Sequence, residues 1–483
     1  MTDARGEAER LLRRFARDTN LLIAGREFHI TGDGPVAAAL TAMLADMGAR
    51  ILTSGSHAAD ATAEVIIDVT TGDLTLGGAP VGGRGDAAGR LDFAAAHMPV
   101  SAAVAADLAE AGTLAGLSIG VSMTLEPKTA NLALLLARAG ATVAVYAHPD
   151  ETDEAVAEAL RQRGVPVDAD ATLATPAAER QAALSFLDRG FDVLVDDGSH
   201  VTRLAHEARP DLVKRWIGAT EETTSGLTPL RRMQTAGVLA TGVIAVNDAI
   251  TKTGFDNRYG TGQSCVLAVA DLLDAAGVSV RDQPAHVVGY GPVGEGVAAH
   301  LRALGATVTV SEVHPARALL AAHDGYEVTT LEAAASGALV VSATGWPGTV
   351  PANVSDVAAA VAVAGGVPHE IAWAGDLTPV APHVERTSTG ALILDRGGCI
   401  NVTAAEGNPI EIMDLSFATQ LAAVAEVVTT HPAVGVHALS PTAVDRVAAT
   451  AARVRRVPLE RSPATASAID TDWHSPRYRE EIA

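Results

Sequence analysis

The run His286 to Gly294 (His-Val-Val-Gly-Tyr-Gly-Pro-Val-Gly) has the residue types that hold a diphosphate. Three glycines follow a β-rich segment and open an amphipathic stretch carrying Val297, Leu301 and Leu304, which Gly305 stops. The strand read at Thr307–Ser311 then ends on Glu312, about 20 residues after the glycines, the spacing of a dinucleotide-binding fingerprint. Gly289 permits the tight turn, Gly291 lets the backbone approach the pyrophosphate, and Gly294 lets helix and strand pack closely. Together with Val293 they are the expected cofactor cradle, with free N–H groups at the helix start meeting the anion. Glu312 would accept hydrogen bonds from a ribose diol and repel a 2′-phosphate. NAD is therefore favoured over NADP, and the nearby Arg317 softens that preference only slightly.

Other charged groups are less telling alone. Lys252 and Asp256 stand four apart, which on a helix surface is an ion pair worth roughly 0.2–0.5 kcal/mol. Asp196 and Asp197 follow an apolar strand and read as a turn or helix cap. Glu221, Glu222, Thr223 and Thr224 read equally well as capping residues.

The elements that must position these groups follow from periodicity. The fold class is α/β: a Rossmann-type NAD domain inserted in a second α/β substrate domain, plus a small N-terminal Rossmann-like unit. Strands are expected at Leu117–Val121, Ala141–Ala147, Phe191–Val195, Val238–Val246 and Ala285–Val288, with helices at Thr129–Arg138, Glu154–Arg163 and Ser416–Thr429. The boundaries expected are 1–88 for the N-terminal unit, 89–250 with 408–450 for the substrate domain, 251–407 for the NAD domain, and 451–483 for a tail. In the first unit, Glu27–Ile30, Arg50–Leu52 and Glu64–Val69 read as strands, and Val36, Leu40, Met43, Leu44 and Met47 share a helical face. Its turn Gly32-Asp33-Gly34 imitates a dinucleotide loop, but the following strand ends at Thr53 and Ser54 without a carboxylate. A packing or oligomerisation module is expected there, and Gly77–Arg90 reads as a linker.

The chain's 483 residues exceed one ordinary core, and with only 3% aromatic residues its abundant small aliphatics suit helices on parallel sheets. A formal charge of −22 would repel a phosphate backbone, which argues against nucleic acid. Two cysteines, Cys265 and Cys399, form no disulfide framework and no metal cluster, and a reducing cytoplasm is expected. The charged N-terminus lacks a signal core, and no membrane span is expected.

Beyond these readings, Leu91 to Thr430 resembles the S-adenosylhomocysteine hydrolase (adenosylhomocysteinase) family. The resemblance rests on Gly289 to Val328, on Val246 to Ser264 with Lys252, Asp256 and Asn257, on Asp196-Asp197-Gly198, on Glu221 to Gly226, and on Asn401 with Met413 to Phe417. It implies an NAD that stays bound and transiently oxidises a nucleoside 3′ hydroxyl. The C4′ hydrogen is thereby acidified, the 5′ group leaves, water adds, and the sugar is reduced again. It further implies that Lys252 assists deprotonation of the 3′ hydroxyl while Asp256 holds it. Asp197 would be the acid/base at C4′ and C5′, and Glu222 would bind the sugar hydroxyls. Thr223, Thr224, Ser225 and Asn257 would contact NAD, with Thr344, Gly365 and Asn401 on the nicotinamide side. The tail from Trp473 to Arg479 is similar to a segment that the family lends to a neighbouring subunit's NAD. Tyr478 matches its Tyr, His474 falls at its Lys, and a homo-oligomer, dimer or tetramer, follows.

The chain departs from that pattern where the substrate sits. The family's His-x-Thr-x-Glu run reads Thr124, Glu126, Lys128 here, as in the S-inosylhomocysteine branch. Glutamate accepts from a 6-amino group, whereas lysine only donates and would prefer a 6-oxo group, unless Lys128 pairs with Glu126 instead. Two further family histidines are replaced at Gly366 and at Asn408, the latter counted with the substrate-binding positions. Losing three imidazoles removes groups that titrate near neutrality. Asp197 alone could move the protons, or His200 could substitute, although a surface-loop position is the expectation for His200. Three outcomes stay open: hydrolysis of S-adenosyl- or S-inosyl-homocysteine; the same 3′-oxidation used to dehydrate or epimerise an unusual nucleoside, as in nucleoside-antibiotic biosynthesis; or a non-catalytic NAD-binding regulatory homologue, against which Lys252 and Asp256 argue.

Overall fold

Two parallel sheets set the architecture, and the carboxyl ends of their strands carry almost every residue singled out above. A computed structural model describes residues 3–52, 64–83, 85–281, 283–367 and 369–460. Thr53, Ser54 and the tail with His474 and Tyr478 lie outside the described residues.

The first sheet orders its six strands Gly435–Ala438, Gly242–Ala245, Gly218–Glu221, Val193–Asp196, Ser118–Ser122 and Thr142–Tyr146, all parallel. Four of them are buried along their whole length or nearly so, as expected of a sheet covered on both faces. Ser118–Ser122 comes first in the chain, and its neighbours in the sheet are the next two strands, one on each side. The strand order therefore reverses beside it, and a crevice opens where the flanking connections part.

The second sheet has eight strands, in the order Glu327–Val328, Thr307–Ser311, Pro284–Val288, Leu339–Ser342, Ala360–Val363, Leu392–Leu394, Val384–Arg386 and Thr378–Ala381. The first six run parallel and the last two antiparallel. Its order reverses at Pro284–Val288, the strand that feeds the glycine turn.

The helix Ile410–Thr430 joins the two halves and starts six residues before the expected Ser416. It is long and apolar enough to cross a membrane by length and composition. Here, though, it is largely buried against the six-stranded sheet and holds polar groups inside. Asp414 accepts from Ser101 Oγ at 2.8 Å, Ser416 donates to Glu222 at 2.7 Å, and Thr419 donates to Thr251 at 2.9 Å. Buried polar atoms with such partners are those of a core helix.

The N-terminal region forms a third sheet, Arg50–Leu52, Glu27–Thr31, Val65–Asp68, Leu74–Leu76 and Ala79–Pro80, parallel only in its first three strands. The linker expected over Gly77–Arg90 is corrected. Ala79–Pro80 closes the sheet edge, and a helix begins at Ala87, capped by Asp86. A helix at Ala4–Thr19, not expected from the sequence, presents Leu11, Leu12 and Phe15 to the core. It binds Asp271 and Asp274 of the helix Thr261–Ala275 through Arg13.

Candidate active site

A cavity of about 1280 Å³ lies between the two large sheets, larger than the ~300–1,000 Å³ typical of a single small-ligand pocket. It has room for a dinucleotide and a nucleoside together. Its wall brings together Lys252, Asp256, Asp197, Glu222, Thr223, Thr224, Ser225, Asn257, Gly289, Gly291, Val293, Glu312, Thr344, Gly365, Asn401, Asn408, Thr124, Glu126 and Lys128, whereas Gly294 is buried and does not line it.

The glycine turn fits a dinucleotide. Gly289 has φ +93°, a left-handed conformation that favours glycine. A Cβ at Gly294 would sit 2.0 Å from the Gly289 carbonyl oxygen, so only glycine lets the helix start against the turn. The helix Pro292–Leu304 begins without a side-chain cap, and Pro292 at its first turn needs no N–H partner. Glu312 accepts from the backbone N–H groups of Tyr290, at 2.7 Å, and His314, at 2.8 Å. That leaves acceptor capacity toward the cavity, where a diol would lie.

Lys252 and Asp256 are not the surface pair that their spacing alone implies. Lys252 is 2% exposed, and its Nζ stands 2.5 Å from Asp256 Oδ2 and 2.9 Å from Asn257 Oδ1. A π-helical turn over Asp256–Gly260, a form often found at functional sites, tilts both partners toward the amine. Asn408 donates to Asp256 and accepts from Ser264, at 2.7 Å, and Asn401, at 2.9 Å. It thereby fixes the carboxylate from the side opposite Lys252. Burial works against a charged amine, yet Asp256 and then Glu222 outweigh it and hold Lys252 above its usual range. The ligand-free site thus contains an ammonium ion.

Asp196 and Asp197 divide the work. Asp196, fully buried, accepts from Thr202 N–H at 2.7 Å and Thr202 Oγ1 at 2.6 Å, anchoring the helix His200–Ala208. Asp197 turns into the cavity, where burial raises its pKa. Glu221 and Glu222 divide likewise. Glu221 binds the N–H groups of Gly198, at 2.9 Å, and Thr223, at 3.0 Å, and so shapes the loop. Glu222 faces the cavity with Oε2 unpartnered, and burial pushes its pKa up to about 8.

At the far end, Lys128 Nζ stands 2.6 Å from Glu126 Oε2 and donates to the Glu406 carbonyl at 2.7 Å. Glu126 caps its own helix through Lys128 N–H and Thr129 N–H. Two of the three ammonium donors are thus engaged within the protein. Around Thr344, its hydroxyl donates to Glu370 at 3.0 Å, and a Cβ on Gly365 would overlap that carboxylate. His200 is exposed, as expected, but it begins the helix His200–Ala208 instead of lying in a loop, and it lines the cavity with its ring across Gly198. Desolvation, then His148 and Arg203, push its pKa down to about 4, too low for a shuttle near neutrality. Sequence reasoning missed Glu151, His148 and Glu370. Glu151 and His148 follow the strand Thr142–Tyr146 at its carboxyl end, the location that should have drawn attention to them.

A glycine turn at one switch point and a buried lysine–carboxylate cluster facing it from a second parallel sheet define an NAD-dependent enzyme. Residues 257–373 match the family described as S-adenosyl-L-homocysteine hydrolase, NAD binding domain. The adenosylhomocysteinase of Aeropyrum pernix is 35% identical over 353 residues, covering 70% of this chain and 84% of that protein. The S-inosyl-L-homocysteine hydrolase of Methanopyrus kandleri is 37% identical over 352 residues, 68% and 81% of the two chains. The adenosylhomocysteinase of Gloeobacter violaceus is 37% identical over 352 residues, 69% and 81%. The chain belongs to the adenosylhomocysteinase family, and its cofactor is NAD.

Proposed function

We propose that the protein hydrolyses a nucleoside thioether, S-adenosyl- or S-inosyl-homocysteine, by transient oxidation at the sugar 3′ carbon. The observation that carries this reading is that Lys252, Asp197 and the glycine turn face one cavity. Bound NAD supplies a reversible hydride acceptor beside the sugar. Gly289, Gly291, Val293, Thr223, Thr224, Ser225 and Asn257 would hold it, with Glu312 on its ribose and Thr344, Gly365 and Asn401 at its nicotinamide end.

Lys252 takes the 3′ hydroxyl proton. As an ammonium ion it must first give up a proton, and the 2.5 Å contact with Asp256 is the path by which it can. Glu222, whose carboxyl burial raises to about 8, donates to a sugar hydroxyl in its protonated form. Once the 3′ carbon is a ketone, the C4′ hydrogen becomes acidic, and Asp197 removes it and, after exchange with solvent, supplies a proton in its place.

The substrate domain is read as 89–250 with 408–450 and the NAD domain as 251–407, and Tyr478 is read as reaching a neighbouring subunit. To test the activity, NAD-loaded protein is given each thioether, and absorbance of the reduced nicotinamide and free thiol are followed. Both should appear. Nicotinamide reduction without thiol from either substrate would favour dehydration or epimerisation, the reading that the changed residues at Thr124, Gly366 and Asn408 support. Neither signal would remove the enzymatic account.

A further inference from the structure

Resting on that reading, one carboxyl in the cavity still lacks a task. Glu151 ends the turn Pro149–Glu151, and its backbone is fixed on both sides. Its N–H donates to the His148 carbonyl at 3.0 Å, and its own carbonyl accepts from Leu125 N–H at 2.9 Å. Its Oε2 accepts from Thr124 Oγ1 at 3.4 Å. Thr124 is the position at which the resemblance implies a histidine, and here its hydroxyl meets the Glu151 carboxyl. Glu151 lines the cavity beside Asp197 and His200, and its turn packs on the short helix Ile400–Thr403 that carries Asn401.

Behind it the support is layered. Glu179 Oε1 lies 2.6 Å from His148 Nδ1, and the His148 ring meets the His200 ring edge to face at 4.9 Å. His148 Nε2 is buried and unpartnered. Arg203 donates to His200 Nδ1 at 3.1 Å, which leaves the His200 proton on Nε2, close beside Gly198.

We propose that Glu151 is the general acid and base at the 5′ position, with His200 and His148 as positioning residues. In the elimination, Asp197 takes the C4′ proton, the C5′–S bond breaks, and its electron pair leaves with sulfur. Glu151 gives its proton to that sulfur, releasing a thiol and leaving a carboxylate. Water then adds at C5′: Glu151 takes the water proton as the C–O bond forms, and Asp197 supplies a solvent-exchanged proton to C4′. Atoms and protons balance, since thioether and water become thiol and alcohol.

The charges around Glu151 suit such a task. Burial raises its carboxyl, the nearby Asp197 and Asp150 add to the rise, and His148 and the Thr124 hydroxyl oppose it, leaving its pKa about 7. A group half-protonated near neutrality can both donate and accept. Cys399 and the neutral His200 complete the set that faces it.

The test uses Glu151→Gln and Glu151→Asp in the NAD-loaded full-length protein. Thiol release by Glu151→Gln should fall at least about 100-fold, the lower range for loss of a general acid. Nicotinamide reduction by the same substrate should fall far less, and the aspartate variant should recover part of the release. Equal loss of both signals, or thiol release at the wild-type rate, would overturn the assignment. A second readout needs no turnover: the part of the protonated-carboxyl infrared band that titrates near pH 7 in the wild type should be absent from Glu151→Gln, while the part due to Glu222, near 8, remains. Failure of the wild type to reduce NAD or release thiol would instead reject the hydrolase reading, and this role with it.

Discussion

The two ends of the cavity are built differently. Around Lys252 the contacts interlock: Asp256 is held by Lys252 and Asn408, Asn408 by Ser264 and Asn401, and Asn257 by Asn247 and Thr253. Around Asp197 and Glu151 the carboxyls face open space, and each has a raised pKa. The end that handles the cofactor is fixed by a closed hydrogen-bond circuit, in which changing one member leaves another buried group unpaired. At the substrate end, the carboxyls of Glu151 and Asp197 are held by single hydroxyl contacts, from Thr124 and Thr223, so exchanging one residue disturbs fewer partners. Of the positions where the resemblance implies a histidine, Thr124 lies at the open end, whereas Asn408 is a member of the closed circuit, engaged by Asp256, Ser264 and Asn401.

The largest effect expected from this contrast is at the closed circuit. Lys252→Met should slow reduction of NAD by substrate by at least about 1,000-fold, within the range for loss of an acid–base group, while NAD still binds. Stopped-flow absorbance gives the first number, and nucleotide retained after gel filtration gives the second. Reduction at the normal rate would move the redox role elsewhere.

Asn408→Ala should cost about 10- to 100-fold in the same step, the value of a lost hydrogen bond to a charged partner. The loss should fall on kcat more than KM, because Asn408 acts through Asp256. A pure KM effect would return Asn408 to substrate contact alone.

The carboxyls also predict how stability varies with pH. Glu222 and Glu151 have folded-state values near 8 and 7 against an ordinary 4.5, so the folded state binds their protons more tightly. Their stabilising contribution is complete below about pH 4.5 and is lost as pH rises through 7 and 8. Thermal melts of the ligand-free protein should therefore decline over that window, and Glu222→Gln should flatten the decline. A slope unchanged by the substitution would contradict the burial of Glu222 as a neutral acid.

The smallest effect is expected at Lys128. Two of its donors are already engaged, so Lys128→Glu should move the ratio of S-inosyl to S-adenosyl substrate use by less than about tenfold, roughly 1.4 kcal/mol. A larger change in the ratio would make Lys128 the main reader of the base.

Much of this was legible in the sequence, for physical reasons. The glycine turn could be read because Gly289 and Gly294 answer local demands of backbone angle and close approach. The parallel strands could be read because burial on both faces leaves apolar runs. The pair Lys252 and Asp256 could not be told from a surface pair by spacing, since its burial comes from the helix Ile410–Thr430 and from Asn408, far along the chain. Glu151 escaped because His148-Pro149-Asp150-Glu151 has the composition of a solvated turn. Only the sheet order, with its reversal beside Ser118–Ser122, brings that turn to the cavity. The helix Ala4–Thr19 was missed because its apolar face is narrow among many charges, and Arg13 is buried through partners on a distant helix.

The most direct test of the central claim is hydrogen exchange at C4′. The NAD-loaded protein is incubated with the thioether substrate in deuterated water, and the recovered nucleoside is analysed by mass spectrometry and NMR. Oxidation at the 3′ carbon followed by proton removal predicts deuterium at C4′, with none elsewhere on the sugar carbons. Released thiol with only hydrogen at C4′ would mean direct displacement at C5′, and would contradict the account.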